Sequence, residues 1–156
     1  MDLRVAETKD VEGITSVINS AFRLAEALLM DSDRIDVESV RSLLEKGKSL
    51  VVSNGSALVG CVYVELRGKR AYLGLLSVDP KHQKGGLGSM LMNAAEVYCA
   101  NAGCQFVELQ MINVRHELPG FYHRRGYVET GTAALTPGLT PKVPCHFVKM
   151  SKSLTE

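Results

Sequence analysis

Apolar residues at Val11, Ile14, Val17, Ile18 and Ala21 recur at the spacing of one helical face. With Thr8 as the expected N-cap, they predict a first helix after a short alternating strand. Helical composition continues to Glu45 but is broken by Asp31-Ser32-Asp33-Arg34-Ile35-Asp36. Short polar side chains there favour a turn or a new helix start, so two helices are expected. From Ser49 the period shortens. Leu50-Val51-Val52 and residues 57–66 flank Asn54-Gly55, a pair suited to the positive φ of a tight hairpin turn. A second polar turn, Arg67-Gly68-Lys69-Arg70, leads into a strand at 71–78 that Pro80 ends. Beyond Gly85, Gly86 and Gly88, an apolar helical stripe runs through Leu87, Met90, Leu91, Ala94, Ala95, Val97 and Tyr98, and Gly103 terminates it. A strand at 106–112, a short helix within 117–125, extended chain from Gly126-Tyr127-Val128 and a last strand at 145–150 complete the order. The pattern is that of an α+β domain with a mixed central sheet.

Composition narrows the class. A chain of 156 residues, 46% hydrophobic and 22% charged, suits one domain over 1–156. Eighteen basic and 17 acidic residues leave a net charge of +1, so no global field holds nucleic acid or an anionic membrane. The first ten residues are too charged for a signal-peptide core, and no apolar run reaches membrane-spanning length, which predicts a cytoplasmic monomer or homodimer. Cys61, Cys99, Cys104 and Cys145 form no CxxC pair and suit buried thiols better than a disulfide framework.

The informative segment runs from Leu75 to Ser89: an apolar strand, a short polar loop, close glycines and the start of an apolar helix. Glycines let backbone N–H groups approach a ligand, and a helix N-terminus adds unpaired donors and partial positive charge, so the segment points to phosphate. Lys81 and Lys84 add to that field. Glycine spacing alone is equally compatible with a plain strand-to-helix turn. Neither the P-loop nor the dinucleotide-binding glycine pattern is present. In its full context the segment resembles the acetyl-CoA motif of the GNAT superfamily of N-acetyltransferases, in which a strand ending in Val-x-Pro leads into Gln/Arg-x-x-Gly-x-Gly/Ala. Gln83-Lys84-Gly85-Gly86-Leu87-Gly88 fits without a gap. The resemblance implies a mostly antiparallel sheet, helices on both faces and a splayed parallel strand pair. It further implies that amides of Gln83, Lys84, Gly85, Gly86, Leu87, Gly88 and Ser89 wrap the CoA pyrophosphate, while the main chain of Leu76, Ser77 and Val78 pairs with pantetheine.

A second segment extends the likeness: Asn113 near a strand end, then Phe121-Tyr122-His123-Arg124-Arg125-Gly126-Tyr127, which resembles the family's aromatic-Tyr-x-x-x-Gly-aromatic signature. The implied activity is transfer of acetyl from acetyl-CoA to an amine, with no metal. By resemblance Tyr122 protonates the leaving sulfur and Asn113 orients pantetheine or a water. The strand at 71–78 carries no carboxylate where several family members place a general base; Tyr72 and Gly74 stand there, and Glu65 or Glu108 are the remaining candidates. The histidines His82, His116, His123 and His146 make no ligand spacing with Cys145, and His123-Arg124-Arg125 reads as a solvated helix face. Asp31, Asp33 and Asp36 serve either to attract a cationic amine or to cap and turn the chain. The proline-bearing loop at 136–144 is either a wall of the acceptor cleft or an edge cover.

Overall fold

The alternating segments form seven strands: β1 (Asp2–Val5), β2 (Lys48–Asn54), β3 (Ala57–Arg67), β4 (Arg70–Val78), β5 (Phe106–Ile112), β6 (Val128–Ala133) and β7 (Phe147–Ser153). The periodic segments form α1 (Val11–Glu26), α2 (Val37–Lys46), α3 (Leu87–Asn101) and α4 (Leu118–Arg124). The computed structural model describes all residues except 28, 31, 32, 84 and 156, and all other side chains except that of residue 24. The strands make one sheet in the order β1-β2-β3-β4-β5-β7-β6, antiparallel everywhere except at the β4–β5 pair, which α3 links as a crossover.

Glycine-led turns set the meander. Gly55 (φ 67°) and Gly68 (φ 69°) supply the left-handed backbone at which β2 turns into β3 and β3 into β4. The first turn is Gly55-Ser56 and not Asn54-Gly55, because Asn54 still pairs with Ala57. The start of α1 also departs from expectation. Thr8–Asp10 form a 3-10 turn closed by a reciprocal capping box between Glu7 and Asp10, so Thr8 is not the cap. The break before α2 is as expected: the Asp36 carboxylate accepts from Ser39 N–H at 2.7 Å, and Asp33 pairs with Arg23 at 2.7 Å. Asp31 lies outside the described residues.

Side-chain alternation along the strands builds a core on each face. Leu50, Val52, Val62, Val64, Ala71, Leu73 and Val107 pack against Leu87, Leu91, Met92, Ala95 and Cys99 of α3. On the other face, Val51 and Cys61 meet Val11, Ile14, Val17 and Ile18 of α1 and Val40 of α2. All four cysteines are free; Cys61, Cys99 and Cys104 are buried. No described helix is long and apolar enough to cross a membrane.

One ion pair fixes how β1 meets the first helical turn. The Arg4 guanidinium donates to both carboxylate oxygens of Asp10 at 2.8 and 2.9 Å, and Glu7 N–H donates to the same group at 2.8 Å. These bonds hold the Asp10 carboxyl well below its ordinary value, at about 2. Because the folded-state pKa lies below the unfolded one, the contribution is complete above roughly pH 4 and is lost as pH falls towards 2. The expected result is that Asp10→Asn lowers Tm at pH 6, and that this difference narrows steadily in melts taken down to pH 2.

The feature that positions the site is a divergence in the sheet. β4 and β5 pair only at Arg70↔Phe106, Ala71↔Val107 and Tyr72↔Glu108, while β4 stays paired to β3 as far as Val78 and β5 to β7 along its whole length. A bulge accompanies the split. Cys61 stands opposite Ser77 and Tyr63 opposite Gly74, which places Leu75 and Leu76 together against Val62. Leu75 takes φ 55°, the one positive φ outside glycine among the described residues. The extra residue turns Leu75 into the α1 core, although Leu73 faces α3.

Candidate active site

The wedge between β4 and β5 opens into a cleft of about 440 Å³. Its walls come from Leu73, Gly74, Leu75 and Leu76 of β4, residues 109–112 of β5, Phe22 and Glu26 of α1, Gly88 and Met92 of α3, and Leu118, Phe121 and Tyr122 of α4. Main-chain groups of residues 73–78 that point towards β5 have no strand partner, since the parallel ladder stops at Tyr72.

The loop at one side of this wedge is built from local bonds. Asp79 N–H donates to Val59 carbonyl at 2.8 Å, the Asp79 carboxylate accepts from Lys81 N–H at 3.3 Å, and the Gln83 amide donates to Val78 carbonyl at 3.2 Å. Gly86, at φ 78°, is the N-cap of α3. The first helical bond runs from Met90 N–H to Gly86 carbonyl at 3.0 Å, so the amides of Leu87, Gly88 and Ser89 have no partner within the helix. Such amides at a 15-residue helix are a phosphate-binding arrangement. A Cβ built on Gly86 meets nothing within 4 Å, and one on Gly88 comes 4.0 Å from the Phe121 ring.

Of the residues singled out from sequence, Leu76, Val78, Gln83, Gly88 and Tyr122 line the cleft. Gly85, Gly86 and Ser89 sit at the helix start, and Leu87 faces the α3 core. Ser77 is buried, its hydroxyl donating to the Leu75 carbonyl at 2.9 Å and its backbone paired with Cys61 of β3. Asn113 is not among the cleft-lining residues; its amide oxygen accepts from His146 N–H at 2.9 Å while its own N–H donates to His146 carbonyl at 2.9 Å. Lys84 lies outside the described residues.

Tyr122 is placed by the turn that follows it. Gly126, at φ 97°, ends α4, and Tyr127 N–H returns to Tyr122 carbonyl at 3.1 Å. The Tyr127 ring then packs edge-to-face on Tyr122, with centroids 5.8 Å apart. Glu96 anchors this turn to α3: it accepts from Tyr127 hydroxyl at 2.9 Å and Lys152 at 2.7 Å, with Arg125 at 3.5 Å. Arg125 is therefore a structural tie and not part of a solvated face, whereas His123 is half-exposed beside Glu129. Burial pushes the Tyr122 phenol up to about 12, offset in part by Arg115 and Arg125, so it keeps its proton at neutral pH. No described residue hydrogen-bonds its hydroxyl.

Two proposed bases stand elsewhere. Glu65 accepts from Tyr63 hydroxyl at 2.7 Å and pairs with Arg67, which holds it below the usual carboxylate range; Glu108 pairs with Arg70 at 3.6 Å. Neither lines the cleft. Gly74 has a steric reason: a Cβ there would come 2.8 Å from the Tyr72 ring, which occupies that part of the cleft wall. The loop at 136–144 contributes nothing to the main cleft. It braces the α1–α2 connection through Lys142 N–H to Leu29 carbonyl at 2.7 Å and a Met30↔Pro141 bridge. Among the described residues, no group of histidine, cysteine or acidic side chains is arranged to hold a metal ion.

Sequence reasoning missed a charged cluster at the α1 side of the cleft. Glu26, 4% exposed, meets Arg115 at 3.1 Å and Arg34 at 3.6 Å. Arg115 also bonds Glu117 at 3.2 Å, and Arg34 lies over the Phe22 ring at 4.8 Å and 5.7 Å from that of Phe147. Glu26 falls four residues after Phe22 on the inner helical face, and that spacing was the available signal.

Comparison with known proteins agrees with this geometry. The chain matches the model of the acetyltransferase (GNAT) family over residues 15–127. No curated protein matches it in sequence. Among solved structures, the ribosomal-protein-S18-alanine N-acetyltransferase from Escherichia coli superposes with a TM-score of 0.78 at 14% identity, over 99% of this chain and 94% of that one. An aminoglycoside 6'-N-acetyltransferase complexed with coenzyme A gives 0.77 at 16% identity over 100% and 98% of the two chains. The PaiA N-acetyltransferase from Thermoplasma acidophilum, in complex with coenzyme A, gives 0.73 at 18% identity over 98% and 99%. At these identities the likeness is one of fold.

Proposed function

Because the chain belongs to the acetyltransferase (GNAT) family, we propose that it is an N-acetyltransferase moving acetyl from acetyl-CoA to a primary amine of a small molecule or protein. Transfer is direct, within a ternary complex. The observation that carries this reading is the wedge: three paired residues between β4 and β5, then open main chain leading to unpaired amides at α3. Residues 1–156 act as one catalytic domain, cytoplasmic, as a monomer or homodimer.

The chain's own groups divide the work. Amides of residues 83–89 hold the pyrophosphate, with Gly85, Gly86 and Gly88 leaving the approach clear of side chains. The main-chain groups of the Leu76-Ser77-Val78 segment that face β5 pair with the pantetheine arm as an added strand would. The N–H of Leu76 or a near neighbour polarises the thioester carbonyl. Tyr122, still protonated at neutral pH, gives its proton to the departing sulfur. The nearby guanidiniums of Arg34 and Arg115 disfavour an ammonium, so the amine reaches the thioester neutral with its proton lost to water.

A second reading, a non-catalytic acyl-CoA-binding module, has one observation in its favour: the cleft carboxylates Glu26 and Glu117 are both engaged by Arg115. Thiol release from acetyl-CoA across a broad amine panel separates the two. Amine-dependent release supports the enzyme, and CoA binding without release by any amine supports the module.

A further inference from the structure

We infer that the acceptor carries a carboxylate beside its amine, as an amino acid does, and that Arg34 is the residue that selects it; the inference rests on the acetyltransferase reading. The Arg34 side chain is only 14% exposed, yet none of its five N–H groups hydrogen-bonds a described residue. Among the described residues its one carboxylate partner, Glu26, stands 3.6 Å away and is more closely held by Arg115. A desolvated guanidinium with unspent donors is costly unless a ligand completes its shell.

The surroundings say which ligand. Arg115 directs its donors to Glu26 and Glu117, whereas Arg34 stacks on Phe22 and keeps its planar fork free for the cleft that both line. Among the described residues the cleft is lined by two guanidiniums and two carboxylates, Arg34, Arg115, Glu26 and Glu117. Arg115 bonds both carboxylates, and Glu117 is 62% exposed at the margin, so Arg34 is the guanidinium left without a hydrogen-bonded counter-ion. A planar carboxylate matches the fork with two parallel hydrogen bonds. Burial already lowers the Arg34 pKa, and a bound anion offsets that penalty. The phenol of Tyr72 and the amide of Gln110 border the same space, so the amine next to the carboxylate is directed towards Tyr122 and the β4 main chain. A cleft of about 440 Å³ shared with a pantetheine arm leaves room for a small acceptor.

The test compares matched acceptors in the thiol-release assay: the common L-amino acids, their carboxamides, the corresponding decarboxylated amines, and O-phosphoethanolamine. The expected result is that the best amino acid exceeds its carboxamide in kcat/KM by roughly ten- to a hundredfold, the worth of a charge-assisted pair. Arg34→Gln removes that preference by raising KM for the amino acid, and Arg34→Lys restores part of it; KM for acetyl-CoA stays unchanged in both. Equal or better turnover of carboxamides, or an unaltered preference in folded Arg34→Gln, overturns the inference, as does a preference for O-phosphoethanolamine over every amino acid. Should no amine be turned over, the enzyme reading fails, and the anion site is decided by NMR. Titration of the CoA complex with the amino acids must then shift the Arg34 Nε–H resonance, while the carboxamides leave it in place. No shift with either set overturns the inference.

Discussion

Gly86→Glu is expected to weaken CoA binding at least a hundredfold. Three physical effects combine. Gly86 sits at φ 78°, where an L side chain is strained, so the cap itself is perturbed. Its missing Cβ opens onto empty space, so a longer side chain enters the approach to the α3 amides. The added carboxylate then competes for the same unpaired donors and repels the pyrophosphate. Gly86→Ala separates these effects, because it carries the backbone strain without the charge and is expected to lose far less affinity. Calorimetric titration of both folded variants is the check. Equal affinity of Gly86→Glu and wild type for CoA would remove the donor-site assignment.

Tyr122→Phe is expected to lower turnover roughly a hundred- to ten-thousandfold, the range of a lost general acid, with little change in KM for acetyl-CoA. The phenyl ring preserves the edge-to-face packing on Tyr127, and no described residue loses a hydrogen bond when the hydroxyl goes. The substitution therefore isolates the proton. Full turnover on a good amine, with chemistry rate-limiting, would make Tyr122 a packing residue and assign the proton to another donor or water.

Much of this arrangement was legible because local signals and tertiary structure agree. The strand at 106–112 and the α3 stripe stand where their periods place them, since each is long, apolar and bounded by glycine or polar turns. The position of Tyr122 follows from Gly126, whose αL conformation ends α4 and returns Tyr127 to the core. Other features have no local signature. The β4 bulge centres on Leu75, where no glycine, asparagine or aspartate marks the positive φ, so the strand reads as continuous alternation. Thr8 has a favourable cap side chain, but the Arg4–Asp10 pair and the Glu7–Asp10 box move the helix start past it. Arg34 lies in a polar run that reads as solvated turn. Its burial arises only in the folded chain, where Phe22 and Glu26 of α1, Arg115 after β5 and Phe147 of β7 gather around it from three separate segments.

Amine-dependent turnover of acetyl-CoA is the most direct test of whether this cleft transfers acetyl groups. The reading predicts that at least one amine in the panel, an amino acid foremost, yields free CoA thiol and N-acetylated product in equal amounts. The same amine must give greatly reduced product with Tyr122→Phe. A protein that binds CoA tightly yet forms no acetylated amine anywhere in the panel, or forms it equally well without the Tyr122 hydroxyl and with glutamate at position 86, would contradict it.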